Sequence, residues 1–462
     1  MPTEPLRSID RDLLPVGTPF SHPIRSLADT TTPAARTALW SLPAWRHTLL
    51  ATGLSLALAA CGGSGSESGD GERLGLDSAD TAELQTHDRT KAGPTQSGQR
   101  RPGAQSTGTS SQPAATAAAS NHPRWTLTSP AEASRFLAQA SYGSSPKDIK
   151  ALTGRTANEW IEAQFSRPPT SLLNTMKYWQ QRSGKAITLT DAHNAWWYST
   201  VQQDQLRQRV AFALSQIFVV STNGDVSHFP KGIASYYDML ARNAFGNFRQ
   251  LLEDVTLHPM MGVYLTHIGN HKERFDSTGK LTQAPDENYA REVMQLFTIG
   301  LEQLNLDGTP KKDAQGRPIP TYSNNDVIGL ARVFTGWSWN GGRLTHECFF
   351  RAGYCAENTN ERETRPMVAY DQYHSTLEKR FLGTTIAEGQ SRTTADLKVA
   401  LDTLFNHPNV GPFIGRQLIQ RLVTSNPSPA YVRRVASAFN NNGQGVRGDM
   451  KAVIRAVLLD EE

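Results

Sequence analysis

From Gly62 to Arg124 the chain contains no phenylalanine, tyrosine or tryptophan. Glycine, serine, threonine, alanine, glutamine and proline fill the stretch, as in "SGQRRPGAQSTGTSSQPAATAAAS". That composition buries too little apolar surface to offset its ordering entropy, which excludes a packed domain and predicts a disordered tether over 61–124. Aromatics return at Trp125 and persist to Phe439, so one folded unit is expected over 125–462.

Other shortages narrow the function. The chain has no G-x-S-x-G, no H-E-x-x-H and no Walker-type loop, so these familiar signatures of acyl transfer, zinc hydrolysis and nucleotide binding are missing. It also lacks a strong charge imbalance: 47 Lys and Arg against 43 Asp and Glu leave +4. The basic runs "RQRVAF" and "YVRRVASAF" mix with apolar positions, which reads as helix surface and argues against a nucleic-acid partner.

Cysteine is scarce, three in 462 residues, and each one has a reading. In "WRHTLLATGLSLALAACGGSGS", Arg46 supplies a positive flank and Leu49–Ala60 an apolar run too short to span a bilayer. "LAAC", Leu58–Cys61, resembles a bacterial lipobox. The resemblance implies a lipoprotein signal over 46–60, cleavage before Cys61 and lipid on its sulfur, so that the partner is a membrane reached through a lipid anchor. Gly62 follows the cysteine where Asp would resemble an inner-membrane retention signal, which favours the outer membrane. Residues 1–45 exceed a usual signal peptide, and a start at Val16 or Leu39 would remove the excess. Cys348 and Cys355, in "HECFFRAGYCAEN", are expected to form a local disulfide, favoured over a metal site recruiting His346 because the spacing is poor for zinc.

The folded part reads as all-α. "SPAEASRFLAQASYG", "SPKDIKALTG" and "TANEWIEAQF" each open with a hydroxyl cap and carry an acid three residues on. A longer helix with room for one break follows from Thr190, with Trp197, Val201, Leu206, Val210, Ala213, Leu214 and Ile217 near helical spacing. Further helices are expected to the end of the chain. The expected architecture is a multi-helix bundle in one domain, with a loop-rich middle from about 301 to 394 and at most a small hairpin in "LNLDGTPKKDAQGRPIPTYS".

Six blocks then carry a family resemblance: "LRQRVAFALSQIFVVS", "YYDMLARNAFGNFRQLLEDVTLHPMMGVYL", "PDENYAREVMQLFTIGL", "YSNNDVIGLARVFTGW", "FLGTTI" and "HPNVGPFIGRQLIQRLVTSNPSPAYVRRVASAF". Together they resemble the domain of unknown function 1800 family, collinearly from about Ala131. The resemblance implies an exported, mostly helical protein and no particular reaction. Some relatives carry Trp-His-Asn where this chain has Leu214, Ser215 and Gln216, and His where Phe297 stands. Relatives also continue beyond "LLDEE", which implies a domain truncated at its C-terminus.

Candidate chemistry centres on "PDENYAREVMQLFTIG". At 100° per residue Tyr289, Val293, Leu296 and Phe297 share one face, and Glu287 and Arg291 pair on the opposite one. Asn288 and Glu292 fall at the seam, where a half-buried carboxyl beside an amide can serve as general acid/base or as a structural clasp. An enzyme reading takes Glu292 as the acid/base, Asn288 and Arg291 as orienting groups and His374 as an assistant. His267 and His271 have i,i+4 spacing, but Gly269–Asn270 between them ends the helix, so no metal is assigned; no cofactor is expected. His258 and His407 each precede proline and read as helix terminators. Trp337 and Trp339, in "FTGWSWNGG", are candidates for binding by aromatic stacking. Two functions stay open: a binding or assembly component for an exported protein partner, and a hydrolase acting on an envelope polymer.

Overall fold

The computed structural model describes residues 125–462, apart from 342–343, 352–354, 356–360 and 390–391. The leader, the lipobox with Cys61, and the tether lie outside the described residues.

The described chain is helical, as expected for an all-α protein, and its first helices start where the sequence can cap them. α1 (Pro130–Ala140), α2 (Pro146–Leu152) and α3 (Ala157–Phe165) each begin with a reciprocal capping box, formed by Ser129 with Glu132, Ser145 with Asp148, and Thr156 with Glu159. α4 (Leu172–Ser183) and α5 (Leu189–Ser199) form an antiparallel hairpin. Gly184 closes α4 at φ +68°, a conformation glycine adopts without strain, and the Thr188–Asp191 box opens α5. The long helix expected from Thr190, with room for one break, is broken after Ser199. Asp204, not a hydroxyl cap, precedes α6 (Gln205–Ser215).

α7 (Pro230–Asn243) lies inside, with Ala234, Met239 and Leu240 in the core. Its Asp238 carboxylate accepts from Leu172 N at 2.7 Å, Leu173 N at 3.2 Å and Ser171 Oγ at 2.6 Å. It thereby satisfies the first amides of α4 and fixes where the α4–α5 hairpin stands. α8 (Phe248–Leu257) and α9 (Pro259–Tyr264) follow, turning at His258. The His258 imidazole does more than terminate a helix: Nδ1 accepts from Met260 N at 3.2 Å and caps α9.

After α10 (Asn288–Gln295) and α11 (Asn324–Val333) comes the loop-rich region, with α12 (His346–Phe350) inside it. Three two-stranded antiparallel pairs occur among the described residues: β1 (Arg274–Phe275) with β2 (Leu281–Gln283), β3 (Trp337–Ser338) with β4 (Val368–Ala369), and β5 (Lys379–Phe381) with β6 (Thr384–Ile386). The expected hairpin after Leu301 is instead a set of isolated bridges, Glu302 to Pro320, Leu304 to Pro310 and Lys312 to Pro318. Each proline sits at a non-hydrogen-bonded position, and the flanking amides make the bonds, as Lys311 N does to the Gln303 carbonyl and Ile319 N to the Lys311 carbonyl.

α13 (Thr393–Asn406), α14 (Val410–Leu422), α15 (Pro429–Asn440) and α16 (Met450–Leu458) complete the unit. α16 packs back on α3, where Arg455 grips the Glu162 carboxylate at 2.5 and 2.9 Å. Among the described residues no helix is long and apolar enough to cross a membrane.

Candidate functional site

α10 is held at its entrance by a polar clasp. Asp286 Oδ1 accepts from Asn288 N at 2.8 Å and Oδ2 accepts from Thr266 Oγ1 at 2.9 Å. Asn270 brackets the Asp286 backbone, accepting from its N–H at 2.9 Å and donating to its carbonyl at 3.1 Å. Thr266 itself sits at φ +60°, an unfavourable conformation for a β-branched residue that these contacts hold in place. Glu287 and Arg291 pair at 3.2 Å on the exposed side. Glu292 lies on the other side of the helix, only 6% exposed. The residues Asn288, Arg291 and Glu292 therefore part company: Arg291 turns to Glu287, Asn288 belongs to the clasp, and Glu292 faces the interior.

His374 is elsewhere engaged. Its Nδ1 donates to the Thr335 carbonyl at 2.8 Å and its Nε2 meets Asp396 Oδ2 at 3.0 Å. The same carboxylate pairs with Lys379 Nζ at 2.9 Å. Burial raises the Asp396 carboxyl, but the bonds from His374 and Lys379 outweigh that and hold it below the usual range. Burial lowers the Lys379 ammonium against the pull of Asp396. Nearby, Arg332 pairs with Glu273 at 2.8 Å, and Ser375 Oγ donates to the same Glu273 oxygen at 3.1 Å. This polar knot ties α11, the 370s loop and α13 together. Both nitrogens of His374 are committed to it, so it cannot assist a reaction at Glu292.

The aromatic loop is also turned inward. Trp337 and Trp339 are 4% and 5% exposed. Trp339 packs on Phe229 with ring centroids 5.5 Å apart, and its carbonyl accepts from Tyr370 Oη at 2.8 Å. Both indoles were candidates for stacking on a ligand; here they fill the core, because β3 pairs with β4 and carries them under α12. Cys348 and Cys355 are joined in a buried disulfide beside them. Gly341 makes room for it: a Cβ there would come 2.2 Å from Cys355 Cβ.

His267 and His271 are likewise separated. His267 is buried, stacked on Tyr289 at 4.0 Å, with Nε2 donating to the Thr256 carbonyl at 2.8 Å. Burial, only partly offset by that bond, lowers its pKa to about 4. His271 stays half-exposed against Phe350 and Tyr373. Among the described residues no group of three or more His, Cys, Asp or Glu side chains could hold a metal ion.

Three exposed aromatics lie together on the α4–α5 hairpin, while Phe275 and Phe350 are exposed elsewhere. Trp197 is 66% exposed, Tyr178 55% and Tyr198 47%. Trp179 meets Tyr198 edge-on at 6.1 Å, and Trp196 meets Trp197 at 4.8 Å. At the turn of the hairpin lies a cavity of about 370 Å³, lined by Met176, Trp179, Gln180, Lys185, Ile187 and Asp191 among others. Trp197 and Val201 fall near the helical spacing of Leu206, Val210 and Ile217 in the sequence, but they are exposed. The helix ends at Ser199, so the spacing that continues into α6 does not apply to them.

The sequence model of the family described as "Protein of unknown function (DUF1800)" matches residues 135–462. The chain belongs to this family. The match begins within α1 and takes in the α10 clasp, the Asp396 knot and the aromatic hairpin. No curated protein and no solved structure matches the chain.

Proposed function

We propose that this member of the family is an exported envelope protein, anchored by lipid at Cys61 with the outer membrane as its site, whose folded unit binds an exported partner without turning it over. The observation that carries the binding reading is the contrast between interior and surface. The groups suited to catalysis, Glu292 and His374, are buried, and both nitrogens of the histidine are engaged with the protein itself. Three of the exposed aromatics, Tyr178, Trp197 and Tyr198, gather on one hairpin. Exposed aromatic clusters of this kind are characteristic of interaction sites. The Cys348–Cys355 disulfide suits an oxidising compartment, and the lipobox supports the anchor.

Two experiments test this. Cells fed an alkyne-tagged fatty acid should label the wild-type chain and not Cys61→Ser; equal labelling of both would remove the anchor. A photo-crosslinking amino acid at position 197 should give a defined adduct in intact cells that is absent when the same group replaces Leu344, another exposed residue. Glu292→Gln should leave that adduct unchanged. Absence of an adduct specific to position 197 would count against the binding role.

A further inference from the structure

We propose that the hairpin of β1 and β2 rests on an anionic phospholipid bilayer, as a second membrane contact of the anchored protein. The inference rests on the anchored reading above and adds a site to it. From 274 to 284 every residue is exposed, so the hairpin projects from the helical unit. Phe275 and Leu281 are direct partners across it, which puts both side chains on one face. They are 52% and 48% exposed.

The hairpin is pre-shaped and stands on a fixed base. At its tip, Asp276 Oδ1 accepts from Thr278 N at 2.9 Å, Thr278 Oγ1 at 2.6 Å and Lys280 N at 3.0 Å, and Gly279 turns the chain at φ +81°. At its foot, Glu273 pairs with Arg332 at 2.8 Å, and Lys272 N donates to the Tyr373 carbonyl at 2.9 Å. An apolar pair held out in this way meets a surface without first having to order its own chain.

Charge and size select the occupant. Lys272, Arg274 and Lys280 flank the apolar pair, and none has an ion-pair partner among the described residues. Counting Arg332, four cations stand against two carboxylates, Glu273 and Asp276. Beyond the hairpin, Glu287 is paired with Arg291 and Asp286 is tied into the clasp. Anionic headgroups complement the excess of positive charge. Two apolar side chains cover far less than the roughly 800 Å² that each partner buries in a stable protein complex. A bilayer asks for less. Aromatic and aliphatic side chains settle at the headgroup level, cations take the phosphates, and water there still reaches the open strand edges. A lipid anchor with a cationic patch holds a protein down more firmly than either alone.

The full chain carrying Cys61→Ser tests the proposal on vesicles, since it has no lipid of its own. An environment-sensitive dye on Ser277→Cys, at the hairpin tip, should shift to the blue with phosphatidylglycerol–phosphatidylethanolamine vesicles and be quenched by brominated acyl chains. The same dye on Val446→Cys, another exposed position, should not respond. Cys348 and Cys355 are bonded to each other, so the dye finds only the introduced thiol. It reads the hairpin itself, whatever the N-terminal apolar run does. Phe275→Ser and Lys280→Glu should each weaken the dye-detected binding about tenfold, and Lys280→Arg should retain it. Phe275 and Lys280 lie outside the core, so these variants leave the fold intact. Equal responses at positions 277 and 446, equal binding to phosphatidylcholine vesicles, binding indifferent to Phe275→Ser, or no response at all would each overturn the proposal. A protein adduct from a photo-crosslinking group at position 281, without a dye response on vesicles, would give the hairpin to a protein partner instead. Fatty-acid labelling at Cys61 is read separately, so the hairpin contact and the anchor can each fail alone.

Discussion

Lys379 Nζ stands 2.9 Å from Asp396 Oδ2, with the lysine side chain wholly excluded from solvent. His374 meets the same oxygen at 3.0 Å. One carboxylate thus serves two basic groups inside the protein, and the knot depends on it more than on either base. Asp396→Asn would leave both without their anion. Breaking a buried pair this way costs about 3–5 kcal/mol, which urea unfolding should register as a large fall in midpoint. A loss below about 1 kcal/mol would show that water reaches the site and solvates Lys379.

Acid should weaken the fold through histidines buried as neutral rings. Burial lowers His267 to about 4, and burial with the Arg242 charge lowers His258 to about 3. In the unfolded chain both return to roughly 6.5. Between those values the unfolded state binds more protons, so stability is fully present above about pH 6.5 and falls as the pH drops toward 4. Two such groups give a limiting slope of roughly 2.7 kcal/mol per pH unit. His267→Gln should reduce the slope by about one proton; an unchanged slope would mean that His267 is hydrated in the native state.

Removing the disulfide should destabilise without abolishing folding. The ring it closes is short, with a sequence separation of 7 between Cys348 and Cys355. Chain-entropy reasoning for so small a loop gives about 2–3 kcal/mol. The double Cys348→Ser, Cys355→Ser variant should therefore melt several degrees below the wild type, and reductant should shift only the wild type.

Glycine at position 329 is dictated by contact with a neighbouring strand. A Cβ there would lie 1.8 Å from the Arg380 carbonyl, at the junction of α11 and β5. Gly329→Ala should cost about 3 kcal/mol or more, since rigid backbone must move. At Gly246 the nearest atoms would be 3.6 Å away, so Gly246→Ala should stay within about 1 kcal/mol of the wild type. Comparable melting temperatures for the two variants would show that α11 and β5 separate easily.

The helical class and most helix starts were legible because the signals are local. A hydroxyl with an acid three residues on, or proline at the first position, requires only the few residues that form the cap. The Glu287–Arg291 pair was legible for the same reason, being one turn of one helix. What escaped notice depends on distant pairing. Asp396 lies 22 residues from His374, and no spacing rule joins them. Trp337 and Trp339 have the composition of a ligand-binding loop; only the pairing of β3 with β4 buries them. Trp197 keeps no common face with Leu206 and Val210 because a short break after Ser199 resets the helical phase. The doublet "WW" followed by Tyr198, facing "YW" on α4, was the available signal for the aromatic hairpin, and its weight rested on knowing that α4 and α5 are antiparallel.

The grip of Arg455 on Glu162 joins residues 293 positions apart. A contact of such range cannot form while the intervening chain is incomplete, and α3 has part of its cover only once α16 is in place. During synthesis from the N-terminal end, α3 therefore waits for Met450–Leu458 before that part of its surface can be covered.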